Sequence, residues 1–165
     1  MSRNPGELRP VPADQRRAYD SLLKDMHLAL LSEFGSRSIY DHLGRRVRDE
    51  ELRRLLARLN ENGAETVERL RALMEGMGSQ PRRTSFRRRA LARILAGISI
   101  GTGPRPILRV CHNAEDTVSR WYAEYAMFLT RLGDGERAAE LESLRRIKIL
   151  NAQALAAFAS LLRSR

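Results

Sequence analysis

Apolar side chains recur every three or four residues along four stretches of this chain, which is the spacing of helices that bury one face. The pattern predicts helices from Tyr19 to about Val47, from Asp49 to Met77, from about Ile107 to Leu132, and from Gly135 to about Arg163. The chain is therefore predicted to be all-α.

Charged residues and glycines indicate how these helices are connected. Basic residues at 45–48 suit a helix C-terminus and acidic residues at 49–51 suit a helix N-terminus, so the first connection is short. Glycines and a proline at 76–81 end the second helix. The glycines at 133 and 135 separate the third helix from the fourth. The two helical hairpins are joined by a long crossover, about residues 79–106 with a short helix inside it. This connection predicts a four-helix bundle with one long crossover, rather than one in which successive helices simply run up and down.

The second and fourth helices carry the same apolar stripe at a constant offset of 85 residues. In both helices the stripe is interrupted twice, three residues apart, by Gly63 and Thr66 in one and by Lys148 and Asn151 in the other. The matched positions are Leu56, Leu59, Gly63, Thr66, Leu70, Leu73 and Met77 with Leu141, Leu144, Lys148, Asn151, Leu155, Phe158 and Leu162.

The first and third helices also match, at an offset of 82 residues. The set Met26, Glu33 and Tyr40 parallels the set Leu108, Glu115 and Tyr122. Each hairpin is thus predicted to bring one glutamate from its first helix, and a pair of polar or small positions from its second, to one level of the bundle.

This arrangement resembles the ferritin-like di-iron superfamily, in which each hairpin supplies a Glu from one helix and a Glu-x-x-His from the next. The resemblance spans about residues 26–160 and is nearest to the demethoxyubiquinone monooxygenase and rubrerythrin-like branch. It implies a ferritin-like bundle, two iron ions and oxidoreductase chemistry. The segments that carry the branch resemblance are 67–74 with Gln80-Pro81, the glycine-bearing 95–103, and 114–118 ahead of Tyr122.

The chain departs from the family at most of the metal-ligand positions. Glu33 and Glu115, or its neighbour Asp116, match the family's glutamates, but 63–66 and 148–151 replace both Glu-x-x-His motifs. We therefore expect no catalytic residue and no bound metal. The resemblance places the vestigial site at Glu33, Gly63, Thr66, Glu115, Lys148 and Asn151, with Tyr40 and Tyr122 matching the tyrosines that surround the ligands.

Lys148 suggests what replaces the metal, because an ammonium at the level of Glu33 and Glu115 would supply a positive charge there. Gly63 is expected to make room for the lysine side chain, and the second carboxylate is expected to pair with Arg37 or to take up a proton. The alternative is that both glutamates lie at the edge of the stripe with their carboxylates in water.

The net charge of +10 is concentrated in one segment, since residues 81–109 hold eight arginines and no acidic residue. Residues 86–103 combine a basic start with an apolar body that is too short to span a bilayer. They are expected to pack across the bundle or in a dimer contact, or alternatively to lie on an anionic membrane surface. The arginines proposed for anionic-surface binding are Arg82, Arg83, Arg87, Arg88, Arg89 and Arg93.

The remaining chemistry is sparse. A single cysteine, Cys111, excludes an internal disulfide framework and is interpreted as a small buried hydrophobe. His112 and Glu115 form a His-x-x-Glu pair that a stray metal could use, although a hydrogen-bonding surface histidine is the favoured interpretation. Residues 1–15 are polar and resemble no signal peptide, so we expect a flexible segment before one domain at 16–165, in a cytoplasmic protein or one peripheral to the inner membrane face.

The favoured function is a degenerate, non-catalytic ferritin-like protein that acts as a binding or interaction module. Its expected partners are an anionic membrane surface, a lipid or quinone, and a second copy of the chain. One alternative is a di-iron oxidoreductase or monooxygenase with an atypical site. A further alternative is a basic nucleic-acid-binding protein, which the lack of a base-reading motif makes unfavourable.

Overall fold

The computed structural model describes residues 11–80 and 104–164, and four α-helices make up most of these two ranges. The prediction of an all-α, four-helix chain is confirmed for them. The helices are α1 at Arg16–Gly44, α2 at Glu50–Gly76, α3 at Pro104–Arg131 and α4 at Gly135–Ser164, with a turn of 3-10 helix at Ala13–Gln15 before α1.

Two helix boundaries differ from the expected ones. Helix α1 ends at Gly44, about one turn before Val47. Helix α3 begins at Pro104, inside the predicted crossover, because a proline in the first turn has no intrahelical bond to donate. Most of the predicted crossover, its short helix included, lies outside the described residues, as do residues 1–10; Val11 packs against the core.

Side-chain and glycine caps define the ends of α2 and α3. Asp49 caps α2, since its Oδ1 accepts a hydrogen bond from the Leu52 amide at 2.9 Å. At the other end of α2, Gly78 has φ +84° and Ser79 donates its amide to the Met74 carbonyl at 3.0 Å. After α3, Gly133 likewise has a positive φ of +76°, and Asp134 donates its amide to the Leu129 carbonyl at 2.9 Å. Glycine suits both positions because a side chain disfavours the left-handed conformation.

Hydrogen bonds between the hairpins determine the direction of each helix. The α1–α2 hairpin packs on the α3–α4 hairpin, with α1 beside α3 and α2 beside α4. Both of these pairs are antiparallel, because the partner numbers fall on one helix as they rise on the other. Helices α2 and α3 therefore run in the same direction, and α3 begins at the opposite end of the bundle from the end of α2. The bonds are Glu33 with Tyr122, Tyr40 with Glu115, Asn62 with Asn151, and Arg69 with Glu140.

The apolar core is divided into two clusters by a polar level. One cluster draws on α1 residues 19–30 and on the C-terminal half of α2, and it includes Leu70. The other draws on the C-terminal end of α1 and the N-terminal half of α2, and it includes Leu56. Each is completed by α3 and α4. The polar level between them is where the repeated stripes are interrupted.

Candidate functional site

Two glutamates and one lysine meet at the polar level of the bundle. Glu33 comes from α1, Glu115 from α3 and Lys148 from α4, and their exposed fractions are 1%, 2% and 1%. We call these three, together with Tyr40, Tyr122 and Asn151, the ionic layer. The alternative in which the glutamates reach water is therefore wrong.

Lys148 bridges the two carboxylates. Its Nζ lies 2.6 Å from Glu33 Oε2 and 3.2 Å from Glu115 Oε2, so one ammonium contacts both. The predicted place of the lysine charge, at the level of the two glutamates, is confirmed. Because buried ions are unfavourable without close partners, these contacts are what makes the burial of three charges tolerable.

The other carboxylate oxygens also have donors. Tyr122 donates its hydroxyl to Glu33 Oε1 at 3.0 Å, and Tyr40 donates to Glu115 Oε1 at 2.6 Å. Each hairpin thus supplies the tyrosine that holds the other hairpin's glutamate, which is an approximate twofold arrangement. Asn151 breaks it, since its Nδ2 donates to Glu115 Oε2 at 3.1 Å. No oxygen of the two carboxylates is left without a donor.

The amide of Asn151 is oriented by a residue that the sequence pattern does not single out. Asn62 lies on α2 beside the stripe, and its Nδ2 donates to Asn151 Oδ1 at 2.8 Å, which turns Asn151 Nδ2 toward Glu115. Thr66 is fully buried at the same level but donates to the Asn62 carbonyl at 2.8 Å. Thr66 therefore supports its own helix rather than the carboxylates.

The expected role of Gly63 is wrong, and so is the Arg37 pairing, one of the two alternatives for the second carboxylate. A Cβ on Gly63 would lie 2.7 Å from Cγ of Arg37, so Gly63 makes room for the arginine stem and not for the lysine. Arg37 in turn donates from Nε to Asn60 Oδ1 at 3.2 Å and pairs with neither glutamate. Among the described residues, Lys148 is the one cation that contacts both carboxylates, and Arg37 instead binds Asn60 on α2.

The ionic layer holds two carboxyl groups for one ammonium. Burial raises the pKa of Glu33, and the charge of Glu115 raises it further, while Lys148 opposes both. Burial lowers the pKa of Lys148, but Glu33 and Glu115 outweigh it, so the pKa stays above its ordinary value and the ammonium persists. Burial and the adjacent carboxylates also raise the pKa values of Tyr40 and Tyr122, which therefore remain hydroxyl donors.

The raised pKa of Glu33 predicts how stability changes with pH. The folded state holds this proton more tightly than the unfolded state, whose pKa is near 4.5. That contribution is complete below pH 4.5 and is lost as the pH rises through the folded pKa. The free energy of unfolding of the wild type should therefore fall relative to Glu33→Gln from pH 4.5 upward, measured by urea unfolding.

The matched control for this comparison is Glu61→Gln, which changes the net charge equally at an exposed position on α2. A gap between wild type and Glu33→Gln that stays constant or widens in favour of the wild type would show that Glu33 keeps no extra proton in the fold.

The donor set does not fit the two iron ions that the family resemblance implies. The position between the carboxylates belongs to an ammonium, and within 11–80 and 104–164 no three His, Cys, Asp or Glu side chains are grouped to hold a metal. His112 donates from Nδ1 to the Ala152 carbonyl at 3.0 Å, and His27 donates to the Leu23 carbonyl at 2.6 Å. Neither imidazole takes the place of a missing ligand.

Cys111 is buried, and burial raises the pKa of its thiol to about 12. A thiol with so high a pKa forms almost no thiolate near neutral pH and is a poor nucleophile. The interpretation of Cys111 as a small buried hydrophobe is confirmed.

The arginines proposed for anionic-surface binding, Arg82 to Arg93, lie outside the described residues. In the part of the chain that the structure describes, no helix has the length and apolar character needed to cross a bilayer.

Neither a protein-family model nor a curated protein matches this chain. The functional argument accordingly depends on the geometry of the fold and of the ionic layer.

Proposed function

We propose that this chain is a non-catalytic ferritin-like protein in which a lysine ammonium replaces the metal centre, and that it acts as a binding or interaction module. The observation that carries the proposal is the contact of Lys148 Nζ with both Glu33 and Glu115. A positive charge thus lies between two carboxylates from the first helices of the two hairpins, where the resemblance implies metal ions.

The topology supports the ferritin-like part of this proposal. Each hairpin contributes one glutamate from its first helix, and α2 and α3 run in the same direction, as a bundle with one long crossover requires. A simple up-down bundle would instead alternate direction at every helix.

The state of the ionic layer supports the non-catalytic part. Every carboxylate oxygen accepts a hydrogen bond, and the charged groups are almost completely buried. General acid-base or nucleophilic chemistry needs a group within hydrogen-bonding reach of a substrate, and no surface of these groups is open to one. The layer therefore serves the fold, and binding is assigned to groups outside it, among them the arginines of segment 82–93, which the structure does not describe.

Metal content tests this proposal directly. The full-length protein is produced with iron supplementation, and iron, manganese and zinc are quantified by mass spectrometry for the wild type, Glu33→Gln/Glu115→Gln and the exposed pair Glu61→Gln/Glu124→Gln. The expected result is the absence of a stoichiometric metal in all three, because the ammonium occupies the cation position.

The opposite result would be a wild type that holds about two metal ions per chain, which the internal pair removes and the exposed pair retains. That outcome would replace the proposal with an oxidoreductase carrying an atypical metal site.

A further inference from the structure

A groove of about 230 Å³ runs between the N-terminal part of α3 and the C-terminal part of α4. Leu108 and Leu155 are buried residues at its base, and Ala159 is partly buried beside them. The groove exists because α4 presents small side chains here, where larger ones would fill the gap between the helices.

The rim of this groove is cationic. Arg105 and Arg109 are exposed side chains one turn apart on α3, and neither takes part in any ion pair found among the described residues. No acidic side chain of the described part lines the groove. His112 follows on the same helix face, and because its Nδ1 donates to the Ala152 carbonyl, Nε2 is the ring nitrogen left for a ligand.

An apolar base under two unpaired guanidinium groups fits an anion that carries an apolar chain. Arginine binds phosphate with two parallel hydrogen bonds, and two arginines suit a group with a charge of about −2 better than a carboxylate. We infer that this groove binds a phosphate monoester bearing an alkyl or acyl chain, with the phosphate on Arg105 and Arg109 and the start of the chain on Leu108, Leu155 and Ala159.

The size of the groove defines which part of the ligand it covers. Sites that enclose a whole small molecule have volumes of about 300–1,000 Å³, so a groove of about 230 Å³ covers the phosphate and only the first part of the chain. This assignment rests on the proposed binding role and adds a specific ligand class and location to it.

The test uses octyl phosphate as the probe, titrated into the full-length protein by calorimetry at constant ionic strength. Inorganic phosphate lacks the alkyl chain and so tests the contribution of that chain to binding. Octyl glucoside lacks the charge and tests the contribution of the phosphate. We expect saturable one-to-one binding of octyl phosphate, about tenfold weaker or no binding of inorganic phosphate, and no binding of octyl glucoside.

Two kinds of variant locate the site. Arg105→Gln/Arg109→Gln should weaken octyl phosphate binding by about tenfold or more, while Arg46→Gln/Arg58→Gln, an exposed pair on the other hairpin, should leave it unchanged at the same net charge. Ala159→Leu keeps every charge but fills the groove, so it should weaken octyl phosphate and leave inorganic phosphate unchanged. Circular dichroism confirms that each variant is folded.

Three outcomes would overturn the assignment: equal losses in both arginine pairs, no loss in the Arg105/Arg109 pair, or inorganic phosphate that binds as tightly as octyl phosphate. These failures are distinguishable from failure of the proposed function, which metal content decides. A metal-free chain without octyl phosphate binding refutes the groove alone, whereas an iron-loaded chain that binds octyl phosphate refutes the non-catalytic proposal alone.

Discussion

Lys148→Met is expected to lower the free energy of unfolding by about 3–5 kcal/mol at neutral pH, because it removes one partner from a buried ion cluster. Methionine has a similar length and fills similar space, so the loss reports charge rather than packing. Without the ammonium, Glu33 and Glu115 face each other in a buried layer, and their remaining partners among residues 11–80 and 104–164 are hydroxyl and amide donors. Urea unfolding of wild type and variant measures the difference.

A triple variant separates the charge from the shape of the layer. Adding Glu33→Gln and Glu115→Gln to Lys148→Met removes all three charges while Tyr40, Tyr122 and Asn151 can still donate to amide oxygens. Most of the lost stability should return, since replacing a whole buried ion cluster by neutral groups is often neutral or stabilising. The sum of the single effects should therefore exceed the effect of the triple change.

The defect of Lys148→Met should also depend on pH. Lys148 opposes the effect of burial on Glu33, so its removal raises the pKa of Glu33 further, and the variant regains stability as the pH falls and Glu33 binds a proton. A variant that equals or exceeds the wild type at neutral pH would mean that Lys148 contributes no net favourable interaction to the layer.

Arg137→Met is expected to lower the free energy of unfolding by about 3 kcal/mol, again through loss of a buried charge partner. Arg137 is 1% exposed on α4; it pairs with Asp134 and donates from Nη2 to the Gly76 carbonyl at 3.0 Å. Tyr19 on α1 donates to the same Asp134 carboxylate at 2.6 Å. Arg137 and Asp134 thus join the start of α4 to the start of α1 and the end of α2, and urea unfolding measures the contribution of Arg137.

The control for this prediction is Arg131→Met, an exposed arginine in the last turn of α3, which should change stability by no more than about 0.5 kcal/mol. Burial raises the pKa of Asp134, but hydrogen bonds from Tyr19 and Arg137 outweigh it and hold the pKa below 3.8. This contribution is present above pH 3.8 and is lost as the pH falls through the folded pKa, so the wild type should lose more stability in acid than Arg137→Met. Equal stability of Arg137→Met and Arg131→Met would show that the buried arginine is not required.

The helices and the level of the ionic layer follow from the sequence because both depend on which positions are buried. The apolar period locates each helix, and the repeat aligns Lys148 with Gly63 and Glu33 with Glu115. That alignment is enough to place a lysine beside two glutamates. It needs no knowledge of individual side-chain conformations.

The sequence pattern does not predict the positions of Arg37 and Asn62, because each depends on side-chain rotamers and on neighbouring residues. Arg37 could extend toward the carboxylates or along α2, and only the packed structure shows that its stem crosses Gly63. Asn62 lies beside the stripe, so its bond to Asn151 has no signal in the hydrophobic pattern.

Arg137 is a different case, because the repeat does contain a signal for it. At the offset of 85 residues it aligns with Leu52, which is buried on α2. A charged residue in register with a buried leucine indicates a buried charge that needs partners. The repeat thus extends N-terminal to the stripe at 56–77, and there it indicates a structural role for Arg137.

The position of the ionic layer between two apolar clusters also determines how the hairpins are aligned along the bundle axis. Leucine-rich stripes can slide past each other by one helical turn, about 5.4 Å, and still bring apolar groups together. The same slide would carry Lys148 away from Glu33, and each tyrosine away from its glutamate, leaving buried charges without partners. The layer therefore discriminates between sliding registers that apolar packing alone would leave nearly equal in energy.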